Sequence, residues 1–386
     1  MGDSCFQFSL GYDGSGRSDR HFYEPHNLIF DDQRDHLLVA DRQNNRIMVF
    51  SAEDGSLIAK LDSSQQKDFC MKQAIEQYIL EHESLYQPCG LAIDHKTNRL
   101  FALDNHYHRI CVWSLTEIPS GSRFPPQIKS SPTFVKYHDI SSTITTTVRE
   151  FLPGAIAIDN FRNRMIIING NYLSVFSLDN FSHLSNLFNL RGGVYGASSG
   201  GIKIDPERDR LYILNSSLSF VMAFSLGDGH FLFEIPLPQY ETLIPGRIED
   251  SVVEILNYRA LCIDNKGRII ITNKADRCLD AFSPDGKFID RFICPGWEQP
   301  ISVAFNFKRG LIAYGTSKHQ VHVIAPNQWL PDTFPIWNLN FRHYAPNTIK
   351  KIVMTLTMIR ALGENCLYPT IILLPNELLF MIFEYL

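Results

Sequence analysis

Six times along the chain an apolar stretch of five or six residues ends in Asp or Asn, and two further apolar stretches follow within 19 residues. The first stretches are 26-HNLIFD-31, 90-GLAID-94, 154-GAIAID-159, 201-GIKID-205, 260-ALCID-264 and 301-ISVAFN-306. The second are 37-LLVAD-41, 100-LFALD-104, 165-MIIING-170, 211-LYILN-215, 269-IIITN-273 and 311-LIAYG-315. The third are 46-RIMVF-50, 109-RICVW-113, 173-LSVF-176, 220-FVMAF-224, 278-CLDAF-282 and 320-QVHVI-324, and a fourth is visible in places such as 229-GHFLFEI-235 and 285-DGKFIDRF-292. Short runs rich in Ile, Val, Leu and Phe, punctuated by Asp, Asn and Gly, are an all-β signal. Four strands per unit, repeated six times, predict small sheets packed around a central axis, a six-bladed β-propeller. The Asp and Asn markers at 31, 94, 159, 205, 264 and 306 are 42 to 65 residues apart. The shortest spacings fit a bare blade, and the longer ones imply insertions in loops.

The wording of the repeats resembles NHL repeats, whose pattern is roughly Pro-x-Gly-apolar-Ala-apolar-Asp, a strand ending Ala-Asp, then Asn-His-Arg-Ile-x-Val-Phe. The matching segments are 25-PHNLIFD-31 with 39-VADRQNNRIMVF-50, and 88-PCGLAID-94 with 103-LDNHYHRICVW-113; 280-DAFSPDGKFIDRF-292 has the same style. Tyr172, Phe220 and Gln320 stand where the third strand of the family has Arg. The resemblance covers roughly residues 6–330 and implies an NHL-like propeller over residues 1–343. Within it, His106 and His108 align with Gln43 and Asn45 in the turn between second and third strands. That is a polar turn rather than a metal site, since zinc needs three or four converging ligands. No metal or cofactor is expected.

A ring of sheets must join its first and last blades or leave exposed edges. The segment 6-FQFSLG-11 reads as a fourth strand with no three before it, so it is expected to complete the last blade. Three excursions interrupt the repeats. Residues 63–84 have helical spacing, with Phe69, Ala74, Tyr78 and Ile79 on one stripe. Residues 118–149, rich in Ser, Thr and Pro, read as a long irregular loop, and 236–256 form the third excursion. All three are expected between blades, on the face that carries the turns after the second strands. That face is the expected partner surface, with Arg42, Asn44, His106, Tyr107, Lys274 and Lys318 as candidate contacts.

Composition excludes several alternatives. The formal net charge is −5, which gives no electrostatic reason to expect nucleic acid or an acidic membrane as partner. RNA binding, as in some NHL proteins of the tripartite-motif group, is therefore possible but not favoured; it needs a basic face, and the turns mix Arg42, Lys274 and Lys318 with Asp41, Asp104 and Asp276. Eight cysteines are scattered without a CxxC pair, and several lie inside apolar strands, which reads as buried free thiols in a reducing compartment. The chain begins without a charged-then-apolar leader and holds no run of about 18 apolar residues, so a soluble cytoplasmic protein is expected. GxSxG, HExxH and phosphate-loop motifs are absent, and the strand-terminal Asp and Asn read as turn caps, so no enzyme is expected.

After 344-YAPN-347 the pattern changes. Ile349, Ile352, Val353, Leu356 and Ile359 recur at spacings of three and four, an amphipathic helix with Asn347 as N-cap and Gly363 as stop. A second helix is expected in 371-IILLPNELLFMIFEYL-386, apolar almost all round. Each large apolar side chain left in water forgoes about 1.5–3 kcal/mol, so this end must be covered, by the chain itself or by a partner. The segment resembles the opening helix of an F-box. That resemblance implies that Leu374, Pro375, Leu378, Leu379, Ile382, Phe383 and Leu386 bind the adaptor of a cullin ubiquitin ligase. The helix-then-Leu-Pro order is similar also to a SOCS-box. The expected organisation is thus an all-β propeller over 1–343 and a short α-helical tail over 344–386. The function it implies is a protein-interaction scaffold that presents a captured target to a ligase.

Overall fold

The computed structural model describes residues 6–12, 14–62, 85–104, 109–116, 134–139, 153–169, 172–189, 201–216, 219–237, 258–326 and 329. The chain divides into two compact units, 1–336 and 337–386, and only the first contains described residues. The expected helices of the tail, and the helical stripe of 63–84, fall outside them.

The described part is the expected propeller. Its strands form six four-stranded antiparallel sheets. The innermost strands are β2 (Pro25–Asp31), β6 (Pro88–Asp94), β10 (Pro153–Asp159), β14 (Ile202–Asp205), β18 (Tyr258–Ile263) and β22 (Pro300–Asn306). Each touches the inner strand of the blade before and after it, and β22 touches both β18 and β2, so the cycle closes. The two flanking strands of the last blade are β23 (Leu311–Thr316) and β24 (Val321–Ile324), and its outermost strand is β1 (Phe6–Leu10). The last blade therefore takes one strand from the amino end of the chain and three from residues 300–324, as the sequence predicts. The pairing is antiparallel, with Ser9 opposite His322 and Leu10 opposite Val321.

Burial explains why these strands read as nearly unbroken apolar runs. Each blade packs both faces, so alternate residues serve opposite neighbours. In blade one, Leu37, Val39, Met48 and Phe50 face the last blade, where Ala304, Ala313 and Val323 meet them. Leu38, Ala40, Ile47 and Val49 face blade two, against Leu91, Leu100, Ala102 and Cys111. The same arrangement recurs at the other four boundaries, giving six wedge-shaped cores, each built by two blades. The closing strand takes part: Leu10 is buried in the wedge between the last blade and the first, with Phe8 against it. Gly11 follows at φ 83, and a Cβ there would meet the Phe22 ring at 2.8 Å. The chain can turn there only without a side chain.

One expectation fails. Residues 118–149 are not wholly an irregular excursion between blades, because Phe134–Asp139 forms β9, the outermost strand of blade two. Its sequence, FVKYHD, mixes apolar and charged residues in place of an apolar run, which is why the strand was not legible.

The strand-terminal Asp and Asn do cap turns, in all six blades. The Oδ1 atoms of Asp31, Asp94, Asp159, Asp205, Asp264 and Asn306 accept backbone N–H groups two to four residues on, at 2.7–3.3 Å. Each turn ends in the left-handed region, at Asp35, Asn98, Asn163, Asp209, Gly267 and Gly310. These are the residue types that tolerate it best.

Candidate functional site

The antiparallel register puts the start of each inner strand beside the end of its second strand, as in the pairing of Pro25 with Asp41 and of Tyr258 with Asn273. The turns to the third strands therefore gather at one end of the axis, together with the entries to the inner strands. In blade one this turn is Arg42–Asn44, closed by Asn45 at φ 57. It is tied to the entry of β2: Arg42 N–H donates to the Glu24 carbonyl at 3.2 Å, and Gln43 N–H to that of Tyr23 at 3.1 Å. The blade-six turn joins from the other side, where Glu24 N–H donates to His319 Nδ1 at 3.1 Å.

At this end of the axis, charged side chains of blade one lie together. Arg42 Nη1 lies 3.3 Å from both carboxylate oxygens of Glu24, and Gln43 Nε2 donates to Glu24 Oε2 at 2.9 Å. Burial pushes the Glu24 carboxyl up. The Gln43 amide and the charges of His26, Arg42 and Arg259 outweigh it and hold the carboxyl below its ordinary value. His26, the second residue of β2, is pushed down to about 4, by burial first, then by Arg42 and Arg259, with Glu24 opposing them. It is neutral at pH 7. Lys274, in the turn of blade five, is lowered by burial and by the neighbouring Arg259. Deeper along the inner strands, Lys203 is also lowered by burial.

The candidate contacts fall into three groups. Arg42 is paired with Glu24, and Lys274 lies in the blade-five turn, where Arg259 acts on it. Lys318 belongs to a separate cluster, 3.9 Å from Glu298, which is itself 2.8 Å from His322. Asn44 holds the fold locally, donating to Asp41 Oδ2 at 2.8 Å and to the Gly16 carbonyl at 2.6 Å. His106 and Tyr107, like Leu374, Pro375, Leu378, Leu379, Ile382, Phe383 and Leu386, lie outside the described residues. Sequence reading missed Glu24, His26 and Arg259. Arg259 carried a signal: 258-YRALCID-264 has a cation where 88-PCGLAID-94 has Cys, at the entry of an otherwise apolar inner strand.

Among the described residues no three His, Cys, Asp or Glu side chains are grouped to hold a metal ion, and no helix is long and apolar enough to cross a membrane. Cys89, Cys111, Cys262, Cys278 and Cys294 are buried and form no disulfide, and burial raises Cys89 and Cys294 to about 12. Such thiols are inert.

No protein-family model matches the chain, and no curated protein matches it in sequence. Solved structures match in fold. The β-propeller domain of Cps50 (Swd1) from Myceliophteria thermophila superimposes with a TM-score of 0.50 at 9% identity, covering 83% of this chain and 98% of that one. A structural genomics protein of unknown function from Bacteroides thetaiotaomicron VPI-5482 does so with a TM-score of 0.52 at 12% identity, covering 83% of this chain and 75% of that one. At such identities the likeness establishes the propeller fold.

Proposed function

We propose that this chain is a non-catalytic, NHL-like interaction scaffold, the substrate-recognition subunit of a cullin-type ubiquitin ligase. The propeller holds a target protein, and the tail binds the ligase adaptor through Leu374, Pro375, Leu378, Leu379, Ile382, Phe383 and Leu386. The observation that supports the first half is how the ring uses its polar groups. All six strand-terminal Asp and Asn side chains cap turns. Arg side chains then bridge one blade to the next, as Arg34 does to Asn98 at 2.8 Å and Arg162 to Asp209 at 2.7 Å. A rigid ring whose turns converge at one end suits recognition, which gains affinity when little must be ordered on binding. The second half is supported by the apolar 371–386 segment and its F-box-like spacing. The mechanism is proximity: the chain brings target and ligase together and performs no chemistry itself.

Affinity purification from cells tests this, comparing the full chain, a chain ending at residue 346, and the full chain with Leu378→Asp and Ile382→Asp. The expected result is a cullin adaptor with the full chain and its loss in both variants, while the propeller's thermal transition stays in place. Adaptor recovered equally with all three, or with none, would contradict the reading.

A further inference from the structure

The strand that closes the ring brings a hydroxyl to a histidine. Ser9 of β1 stands opposite His322 of β24, and His322 stands opposite Tyr314 of β23. Directly opposed residues share a face, so the three side chains form one row on the last blade. Ser9 Oγ is 2.7 Å from His322 Nδ1, and His322 Nε2 is 2.8 Å from Glu298 Oε2. Glu298 comes from the segment just before β22 and is buried, whereas Ser9 is exposed. Hydroxyl, imidazole and carboxylate therefore run in line from solvent to interior. Their positions, 9, 322 and 298, follow no motif spacing, and only the closure of the ring brings them together.

The partners assign the protons. Burial pushes the Glu298 carboxyl up, but the hydrogen bond and charge of His322, with Lys318 3.9 Å away, outweigh it and hold the carboxyl below its ordinary value. A carboxylate only accepts, so the ring proton of neutral His322 sits on Nε2, and Nδ1 accepts from the Ser9 O–H. This is the order of nucleophile, base and orienting group that activates a hydroxyl, with the two ring nitrogens exchanged relative to the serine-protease triad. Ser18 supplies a contrast within the same chain. Its Oγ lies 2.6 Å from His21 Nδ1, but His21 has no carboxylate partner among the described residues.

We propose that Ser9 is a modification site, an activated hydroxyl that takes an acyl group from an acyl thioester. This goes beyond the interaction scaffold: the chain is the acceptor, and no second substrate is turned over. Ser9 Oγ bonds to the carbonyl carbon as its proton passes to His322 Nδ1. The carbon–sulfur bond then breaks, and the sulfur leaves with the electron pair and takes the proton from His322. A serine ester and a free thiol result, and nothing is oxidised or reduced. An acyl group fits better than a phosphoryl group. Phosphoryl transfer needs cations around the moving charge, whereas the charge bonded to His322 is a carboxylate, and Lys318 is engaged by it. The other neighbours are rings, with Phe6 edge-on 5.7 Å from the His322 ring and Tyr314 5.2 Å from it.

The test uses the full chain and S-acetyl-N-acetylcysteamine, with acetyl groups located by peptide mass spectrometry. The expected result is acetylation of Ser9 about tenfold or more faster than of Ser18, at a rate that rises with pH to a plateau as His322 loses its proton. His322→Gln should lower the Ser9 rate about a hundredfold and remove the plateau. Glu298→Gln, which leaves His322 without its orienting carboxylate, should lower the Ser9 rate towards that of Ser18 and leave Ser18 itself unchanged. Acetylation of Ser9 no faster than of Ser18 would overturn the proposal, as would an equal rate in His322→Gln with the thermal transition in place. If His322→Gln melts early, the unaltered chain decides: a Ser9 rate that climbs about tenfold per pH unit without a plateau is driven by hydroxide and contradicts the proposal. Adaptor capture by the tail enters none of these measurements, so the two readings fail separately.

Discussion

At the scale of single residues, two ionisable groups set how the ring responds to pH. Asp32 lies in the first turn of blade one, where its carboxyl accepts the Lys308 N–H of the last blade at 3.3 Å. Burial foremost, then Asp31 and Asp35, raise it from 3.8 to about 8, against the N–H groups of Lys308 and Phe307. A raised carboxyl favours the folded state in acid, and that contribution is lost as pH rises from about 4 towards 8. Asp32→Asn should therefore leave the melting temperature near pH 4 little changed and raise it near pH 9; an equal shift at both would contradict the assignment. His26 has the opposite sense. Its value is depressed from 6.5 to about 4, so its contribution is present above pH 6.5 and lost as pH falls through 4. His26→Gln should flatten the acid limb of the stability profile between those values, as read by chemical denaturation, whereas an unchanged slope would place the acid sensitivity elsewhere. Neither group was legible in the sequence, because the burial that shifts them comes from the packing of blades, and the Lys308 and Phe307 N–H groups reach Asp32 from the last blade.

Among elements, the turns after the inner strands carry the joins between blades. Arg99 Nη2 donates to the Leu178 carbonyl at 3.0 Å, Arg208 Nη2 to that of Lys266 at 2.8 Å, and Arg309 clasps Asp35 at 2.8 Å. Asp159 holds both its own turn and Arg164, whose guanidinium also donates to the Leu226 carbonyl of blade four. Asp159→Ala should cost about 1–3 kcal/mol, more than an ordinary cap, because it frees a partly buried guanidinium as well; a loss below about 0.5 kcal/mol by urea denaturation would say the capping is incidental. The strands themselves were legible, since inner and middle strands are apolar on both faces and the inner runs end in Asp or Asn. The outermost strands were only partly so. Phe288, Ile289 and Ile293 keep 56%, 42% and 62% of their surface, and such half-solvated strands leave a weaker pattern in the sequence. The capping Asp residues could be foreseen from local chemistry. Their Arg partners could not, because the atoms they reach are in the next blade, 47 to 79 residues away for Arg162, Arg208 and Arg99.

For the whole molecule, the six wedge cores make the ring one cooperative body, in which each blade loses half of its burial if a neighbour is removed. The closing strand is where this dependence is most exposed, since β1 is held by five residues and by Leu10 in the last wedge. Leu10→Ala should cost about 2–5 kcal/mol, and removing residues 1–12 should lower the melting temperature of the entire propeller rather than of one blade. The account stands on that closure, because an open seam would leave the wedge between the last blade and the first without its Leu10 and Phe8. Ser9 and His322 are opposed across the seam, with Ser9 Oγ 2.7 Å from His322 Nδ1. The chain with Ser9→Cys and His322→Cys should form an intramolecular disulfide under mild oxidation, identified as a linked peptide by mass spectrometry, and melt higher than its reduced form. Two thiols that remain free and separately alkylated under the same conditions would contradict it.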